Sequence, residues 1–135
     1  MRVAILGTGY VGLTTGVCLA YLGHEVVCLD PVEAKIEALR AGRIPIFEPG
    51  LQELMLEAAA NLKFTTDYAE AVPGAEVIFI AVGTPPQPDG SPDLRYLQAA
   101  SESIGQHLDD TFCVVVNKST VPIGSVNWVE ALIRT

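Results

Sequence analysis

The chain has 135 residues, of which 50% are hydrophobic and 18% are charged. This composition suits one folded domain with a real core and argues against intrinsic disorder. The formal net charge of −8 argues against a nucleic-acid partner, because neutralising phosphates requires clustered lysine and arginine. It does not exclude a small phosphate-bearing ligand, since backbone amides can hold one locally.

No stretch of the sequence indicates a membrane or a secreted protein. No apolar run reaches the roughly 18 residues that span a bilayer, and the chain enters a strand without a preceding signal peptide. The three cysteines, Cys18, Cys28 and Cys113, match no zinc pattern and lie in apolar segments. We therefore expect reduced thiols packed in the core, no metal site and a cytoplasmic location.

The first thirty residues carry the most informative pattern. An apolar strand, Val3–Leu6, leads into the run Gly7–Gly12, which reads GTGYVG, and then into a helix that extends to Leu22. A second apolar strand, Val26–Leu29, ends at Asp30. A glycine motif between a strand and a helix, followed by an acid at the end of the next strand, predicts a dinucleotide-binding unit.

Each part of that unit has a physical role. Gly7 allows the tight turn, Gly9 lets the backbone approach a pyrophosphate, and Gly12 lets the helix pack against the sheet. The unpaired amides at the helix start favour an anion. Asp30 would accept both ribose hydroxyls of the adenosine half and repel the extra phosphate of NADP, so NAD is predicted; the alternative is a capping or loop acid. Lys35 reaches the same ribose or lies on a solvated helix face.

The next fifty residues predict three helices and one further strand. Pro31 suits the first turn of a second helix, because its missing amide would have no partner there in any case. That helix extends to Gly42, and after a loop a third helix covers residues 50–60 with apolar residues at helical spacing. A short strand, 63–66, precedes a short helix that Asp67 caps.

Two more strands follow, and both are predicted to be buried. The apolar runs 76–82 and 112–116 are typical of strands covered on both faces. A loop rich in proline and glycine, 83–92, separates the first of them from a helix that Asp93 caps and that runs to about Leu108. A last helix begins near residue 123.

This alternation predicts an α/β fold, a Rossmann-type doubly wound parallel sheet in three layers (α/β/α) with strand order 3-2-1-4-5. A complete fold of this type carries a sixth strand, so we expect a chain truncated before it, with exposed apolar surface that favours self-association. Ligands bind beyond the carboxyl ends of such strands. Val82–Thr84 and the polar cluster 117–121 follow two of those ends; for Ser119 and Thr120 the alternative is ordinary helix capping.

Taken together, these segments resemble the N-terminal domain of the UDP-glucose/GDP-mannose dehydrogenase family. The matching motifs run the length of the chain in the family's order: GTGYVGL from Gly7, Asp30 with Lys35, PIFEPGL from Pro45, VGTP from Val82, and KSTVPIG from Lys118. A glycine motif alone would be weak. The tyrosine and valine after its second glycine, together with the EPGL and STVP elements, make the resemblance highly specific, and NKSTVP most resembles members that oxidise UDP-glucose.

The resemblance implies an NAD-dependent nucleotide-sugar dehydrogenase that oxidises a sugar alcohol to a carboxylate with two NAD⁺ in turn. Residues 1–135 would be its NAD-binding domain, binding NAD without turnover, because the central helix, the catalytic cysteine and the sugar-nucleotide domain lie beyond Thr135. Family members are commonly dimers or larger. A GDP-mannose or other nucleotide-sugar dehydrogenase and a non-enzymatic dinucleotide-binding module are the alternatives.

The resemblance also implies roles for individual residues. Thr120 matches a threonine that orients a catalytic water together with a glutamate beyond Thr135. Glu48 belongs to a family motif, but no physical role follows from its type, and a structural one in its loop is at least as good. The implied cofactor contacts are Gly7, Gly9, Tyr10, Val11, Gly12, Asp30, Lys35, Val82, Gly83, Thr84, Ser119, Thr120 and Val121.

Overall fold

The computed structural model describes residues 1–135, the whole of the sequence. One parallel sheet forms the centre, with the strand order β3-β2-β1-β4-β5. This confirms the predicted doubly wound fold and its order. The strands are β1 (Arg2–Leu6), β2 (Glu25–Leu29), β3 (Leu62–Thr65), β4 (Val77–Ile80) and β5 (Val114–Asn117).

Helices cover both faces of the sheet and enclose two separate cores. Successive side chains of a strand point to opposite faces, so Val3 and Ile5 belong to one core, whereas Ala4 and Leu6 belong to the other. α1, α2 and α3 cover the first face, and α4, α5 and α6 cover the second. The helices are α1 (Tyr10–Tyr21), α2 (Glu33–Arg40), α3 (Leu51–Glu57), α4 (Tyr68–Ala71), α5 (Arg95–His107) and α6 (Ser125–Arg134), with a 3₁₀ turn at Ala59–Asn61.

Several helix boundaries lie where the turn and capping residues placed them. Gly23, at φ +103°, ends α1: its amide donates to the Ala20 carbonyl, and the His24 amide donates to the Leu19 carbonyl. Asp67 caps α4 by accepting the Ala69 amide at 2.8 Å. Asp93 acts one residue earlier than a usual cap, because Leu94 occupies that position and the Arg95 amide donates to the Asp93 carboxylate at 3.1 Å.

The prediction for Pro31 is wrong. α2 begins at Glu33, and Pro31 precedes even its N-cap residue, Val32. The reason is the Asp30 carboxylate, which accepts the Val32 amide at 2.9 Å. That bond turns the chain directly after β2, and the helix starts only once the turn is complete.

The prediction that the fifth strand is buried is also wrong. β5 lies at an edge of the sheet, Val114 is 44% exposed, and the next three residues are half-buried. Phe112 falls outside the strand and is 86% exposed. An apolar run is compatible with an edge strand as well as a central one, since pairing on one side suffices to form it. Self-association through this exposed edge stays a prediction.

The three cysteines differ in burial, although all of them lie in apolar segments of the sequence. Cys28, on β2, is fully buried, as expected, but Cys18 is exposed on α1 and Cys113 is half-buried. Burial raises the pKa of the Cys28 thiol from 9.0 to about 12. No helix of the chain combines the length and the apolar character that crossing a membrane requires.

We expect a thiol reagent to distinguish Cys18 from Cys28. At about pH 8 the exposed Cys18 should react promptly, whereas Cys28 should react only when the chain unfolds, because it is buried and stays protonated.

Because the folded pKa of Cys28 exceeds the unfolded value, its contribution to stability is complete below about pH 9 and falls between pH 9 and about 12.

Mass spectrometry of the labelled peptides measures both rates, and Cys18→Ser removes the fast phase as a control. Labelling of Cys28 in the folded chain as fast as Cys18 would contradict the buried position.

Candidate dinucleotide-binding site

The strand register brings the predicted site loops together at the carboxyl ends of the strands. Leu6, the last residue of β1, pairs with Leu29 and with Ile80, and Ile80 pairs with Asn117. The loops after β1, β2, β4 and β5 therefore start at one level. The strand order reverses between β1 and β4, which is where this architecture opens a crevice for a ligand.

Two glycines of the turn are required by the packing of the chain itself. Gly7 has φ +105°, and a Cβ there would collide with the backbone carbonyl of Ala81, just beyond β4. A Cβ on Gly12 would overlap the carbonyl oxygen of Gly7 and would reach the Ala81 side chain at 3.4 Å. Gly12 thus lets α1 pack on the turn itself, a more local contact than the expected one with the sheet.

Gly9 is different, because nothing in the chain demands a glycine there. No atom lies within 4 Å of the position that its Cβ would take, and its backbone is extended, with φ −78° and ψ −163°. It is the N-cap residue of α1, which has no side-chain cap and no acidic residue in its first turn. The first amides of α1 therefore lack a capping side chain, and the space beside Gly9 is open, an arrangement that fits a diphosphate.

Asp30 is buried at the end of β2 and is tied to the glycine turn. It is 5% exposed; its Oδ2 accepts the Thr8 amide at 3.1 Å and the Thr8 hydroxyl at 2.8 Å. With the Val32 amide on Oδ1, three of about four acceptor positions of the carboxylate are occupied. Asp30 therefore makes the loop contacts that were the alternative interpretation of this residue. One acceptor position of its carboxylate is left, which suits one ribose hydroxyl and not both.

Lys35 supplies a donor next to that carboxylate. Its Nζ lies 3.9 Å from Asp30 Oδ2, and its side chain is 43% exposed. The ammonium can therefore serve the second hydroxyl of the same sugar. Thr8 was not among the predicted residues, because a hydroxyl between two motif glycines gives no signal until Asp30 is seen beside it.

The loops after β4 and β5 are joined by their own side chains. The Ser119 hydroxyl donates to the Val82 carbonyl at 2.9 Å, and the Thr84 hydroxyl donates to the Thr120 carbonyl at 2.8 Å. Both hydroxyls are thus engaged within the chain. The capping alternative is wrong for Ser119 and Thr120, because the N-cap residue of α6 is Gly124.

Tyr10 connects the glycine turn to the loop before α3. Its hydroxyl donates to the Phe47 carbonyl at 2.6 Å, while its ring is about half exposed, as is Val11 next to it. This bond attaches the PIFEPGL segment to the start of α1. The backbone carbonyl of Glu48 accepts the Leu51 amide at 3.2 Å as α3 begins, and a structural role for the Glu48 side chain stays a prediction.

The candidate site is distinct from two clefts elsewhere on the chain. A cleft of about 250 Å³ lies among Arg2, Glu25 and Lys63, at the amino ends of the strands, and one of about 580 Å³ lies between α2 and α3. Neither contains a residue of the glycine turn. Ligands of parallel α/β sheets bind at the carboxyl ends, so geometry favours the crevice beside the glycine turn over these two clefts.

Alanine at Gly12 should mainly lower the stability of the chain, whereas alanine at Gly9 should mainly lower its affinity for a dinucleotide. Gly12→Ala, inside a helix, would ordinarily stabilise, yet here its Cβ has no space, and we expect a loss of about 3 kcal/mol or more in the free energy of unfolding. Gly9→Ala should cost only about 1 kcal/mol and instead weaken binding of NAD, the implied dinucleotide.

Denaturant unfolding and NAD titration of both variants measure the contrast. A Gly12→Ala chain as stable as the parent, or a Gly9→Ala chain with unchanged NAD affinity, would contradict this account of the turn.

Relatives with this sequence pattern are dehydrogenases of nucleotide sugars. The chain is 51% identical to a UDP-glucose 6-dehydrogenase of Rhizobium meliloti over 99% of its own length and 31% of the relative's. It is 45% identical to the UDP-glucose 6-dehydrogenase TuaD of Bacillus subtilis, with 98% and 29% covered. The chain therefore spans about a third of the length of the relatives it matches.

Solved structures agree with the sequence relatives. A GDP-mannose dehydrogenase from Pseudomonas aeruginosa, in a ternary complex, superposes with a TM-score of 0.95 at 40% identity, over 99% of this chain and 32% of that one. A UDP-glucose dehydrogenase from Pyrobaculum islandicum gives 0.88 at 43% identity, over 98% and 32%. The family model described as the UDP-glucose/GDP-mannose dehydrogenase family, NAD binding domain, matches residues 1–135. The chain belongs to this family and is its NAD binding domain.

Proposed function

We propose that the chain is the N-terminal part of a UDP-glucose 6-dehydrogenase, in which it binds the NAD⁺ that receives hydride from the sugar. One observation carries the proposal: the uncapped start of α1 opens onto space beside Gly9, and the adjacent Thr8 is hydrogen-bonded to the buried carboxylate of Asp30. The high identity to UDP-glucose 6-dehydrogenases over the full chain supports the choice of substrate.

The amides of the glycine turn hold the diphosphate in this proposal. Gly7 and Gly12 fix the path of the turn, Gly9 admits the ligand, and Tyr10 and Val11 supply the amides at the start of α1. No charged side chain is needed there, because the amides and the helix dipole favour the anion. A chain with net charge −8 can therefore bind a dinucleotide locally.

The adenosine ribose lies against Asp30 and Lys35. The carboxylate accepts one hydroxyl at its remaining acceptor position, and the ammonium of Lys35 donates to the neighbouring oxygen. A phosphate in place of that hydroxyl, as in NADP, would meet a buried carboxylate at close range, which disfavours it.

The nicotinamide half lies along the loops after β4 and β5. Because the hydroxyls of Thr84 and Ser119 are used within the chain, the backbone of Val82–Thr84 and of Ser119–Val121 makes the contacts. Thr120 is exposed at the end of this surface. In this proposal it orients a catalytic water together with a glutamate beyond Thr135.

The remaining parts of the enzyme belong to the chain beyond Thr135. The nucleophile, the nucleotide-sugar site and the contacts that form a homodimer are assigned there, since relatives are about three times as long as this chain. The GDP-mannose dehydrogenase alternative is favoured by one observation, the higher structural similarity to that enzyme. The base and the sugar are not read by residues 1–135, so this domain suits either substrate.

Removing the Asp30 carboxylate should reduce the preference for NAD over NADP. We expect Asp30→Ala to weaken the affinity for NAD about tenfold or more, because a charged acceptor is lost. The difference between the affinities for NAD and for NADP should become smaller. Asp109→Ala is a matched control: that carboxylate also accepts the amide two residues on, at 3.0 Å, but it lies before β5, at the amino ends of the strands.

Isothermal titration with both dinucleotides measures the effect. Unchanged NAD affinity in Asp30→Ala, with the fold intact, would favour a different ligand site and the non-enzymatic alternative.

Activity should require the longer protein. The full-length enzyme is expected to form two NADH per UDP-glucose and to leave GDP-mannose largely unreacted, whereas the 135-residue chain should bind NAD without forming NADH. NADH absorbance and product analysis by mass spectrometry measure both. Turnover of GDP-mannose in preference to UDP-glucose would establish the alternative substrate, and turnover by the short chain would overturn the assignment of the nucleophile.

A further inference from the structure

Thr8 is a buried polar residue to which the proposed function assigns no role. It is 1% exposed and lies in the turn between Gly7 and Gly9. Its amide and its hydroxyl both donate to the same atom, Oδ2 of Asp30, at 3.1 and 2.8 Å. Hydrogen bonds to an ionised acceptor are stronger than neutral ones, so this pair is a firm attachment between residues 22 positions apart.

The attachment fixes how the carboxylate is oriented. Two donors on Oδ2 and the Val32 amide on Oδ1 define the plane of the group and prevent its rotation. The two acceptor positions of Oδ2 are filled by Thr8, so the open position is on Oδ1. A ribose hydroxyl therefore meets an acceptor whose direction is set before the ligand arrives.

The same attachment links the two halves of the site. The glycine turn carries the amides that face a diphosphate, and Asp30 carries the carboxylate that faces a ribose. Because Thr8 joins them through both its backbone and its side chain, two hydrogen bonds restrain their separation in the absence of ligand. Pre-organisation of this kind improves affinity, since fewer degrees of freedom are lost on binding.

We propose that Thr8 is a positioning residue that holds Asp30 in the orientation that accepts NAD and rejects NADP. The inference rests on the proposed function, in which Asp30 receives the adenosine ribose. A carboxylate held by its neighbour cannot swing aside, so a 2′-phosphate meets the full repulsion. Without the Thr8 hydroxyl, only the Thr8 and Val32 amides hold Asp30. The carboxylate then turns more readily, which weakens its bond to NAD and relieves its conflict with NADP.

Substitutions at Thr8 separate positioning from simple packing. Thr8→Val keeps the shape and the amide but removes the hydroxyl; we expect NAD binding to weaken about tenfold and the NAD-to-NADP affinity ratio to fall by a similar factor. Thr8→Ser keeps the hydroxyl and should restore the ratio. Thr14→Val, elsewhere on the half-buried part of α1, is the control for the loss of a threonine hydroxyl and should change neither.

A double-mutant cycle with Asp30→Ala tests the route of the effect. Titrations of the 135-residue chain with NAD and with NADP should show that Thr8→Val has almost no further effect once the carboxylate is gone. Equal effects of Thr8→Val with and without Asp30, or an unchanged NAD-to-NADP ratio, would overturn the positioning role. An Asp30→Ala chain that binds NAD normally would instead refute the ribose role of Asp30, a separate failure.

Folding is followed by circular dichroism in every variant. If Thr8→Val does not fold, Thr8→Ala replaces it, because alanine removes the hydroxyl without adding a second methyl group beside the carboxylate. The same ratio and the same cycle then decide the proposal.

Discussion

The site depends on a contact between pieces of backbone at the glycine turn. Gly7 lies against the Ala81 carbonyl, and Gly12 lies against the carbonyl of Gly7, with no space for a side chain at either glycine. This contact sets the first turn of α1 at the end of β1 and beside the end of β4. The crevice between those two strands and the uncapped amides that face it both follow from that placement.

Around the turn, the side chains that suggest ligand contacts mostly hold the protein together. Thr8 holds Asp30, Thr84 and Ser119 join the loops after β4 and β5, and Tyr10 attaches the segment before α3. These bonds join three different pairs of loops, so the rim of the crevice is cross-linked on several sides. The surface left for a dinucleotide is then largely backbone, which agrees with recognition of a diphosphate by amides and explains why a strongly acidic chain can belong to an NAD-binding family.

Each face of the sheet has its own hydrophobic core, and both cores stabilise the domain. One core lies under α1–α3 and the other under α4–α6, and the alternation of side chains along β1 supplies both. α5 and α6 approach closely, since a Cβ on Gly105 would collide with the Ile133 backbone. The edge at β5 is the less covered side of the domain, with Phe112 and Val114 exposed. The crevice lies at the carboxyl ends of β1 and β4, where both cores support it.

Local patterns in the sequence determined the class of fold, the strand order, the glycine turn, the helix stop at Gly23 and the cap at Asp67, because neighbouring residues decide each of these. Only the tertiary structure decided which strand lies at the edge, which cysteine is buried and which hydroxyls are already engaged. Thr8 meets Asp30 across 22 residues, and Thr84 meets Thr120 across 36. Such contacts arise when the sheet brings distant loops together, and no spacing along the chain encodes them.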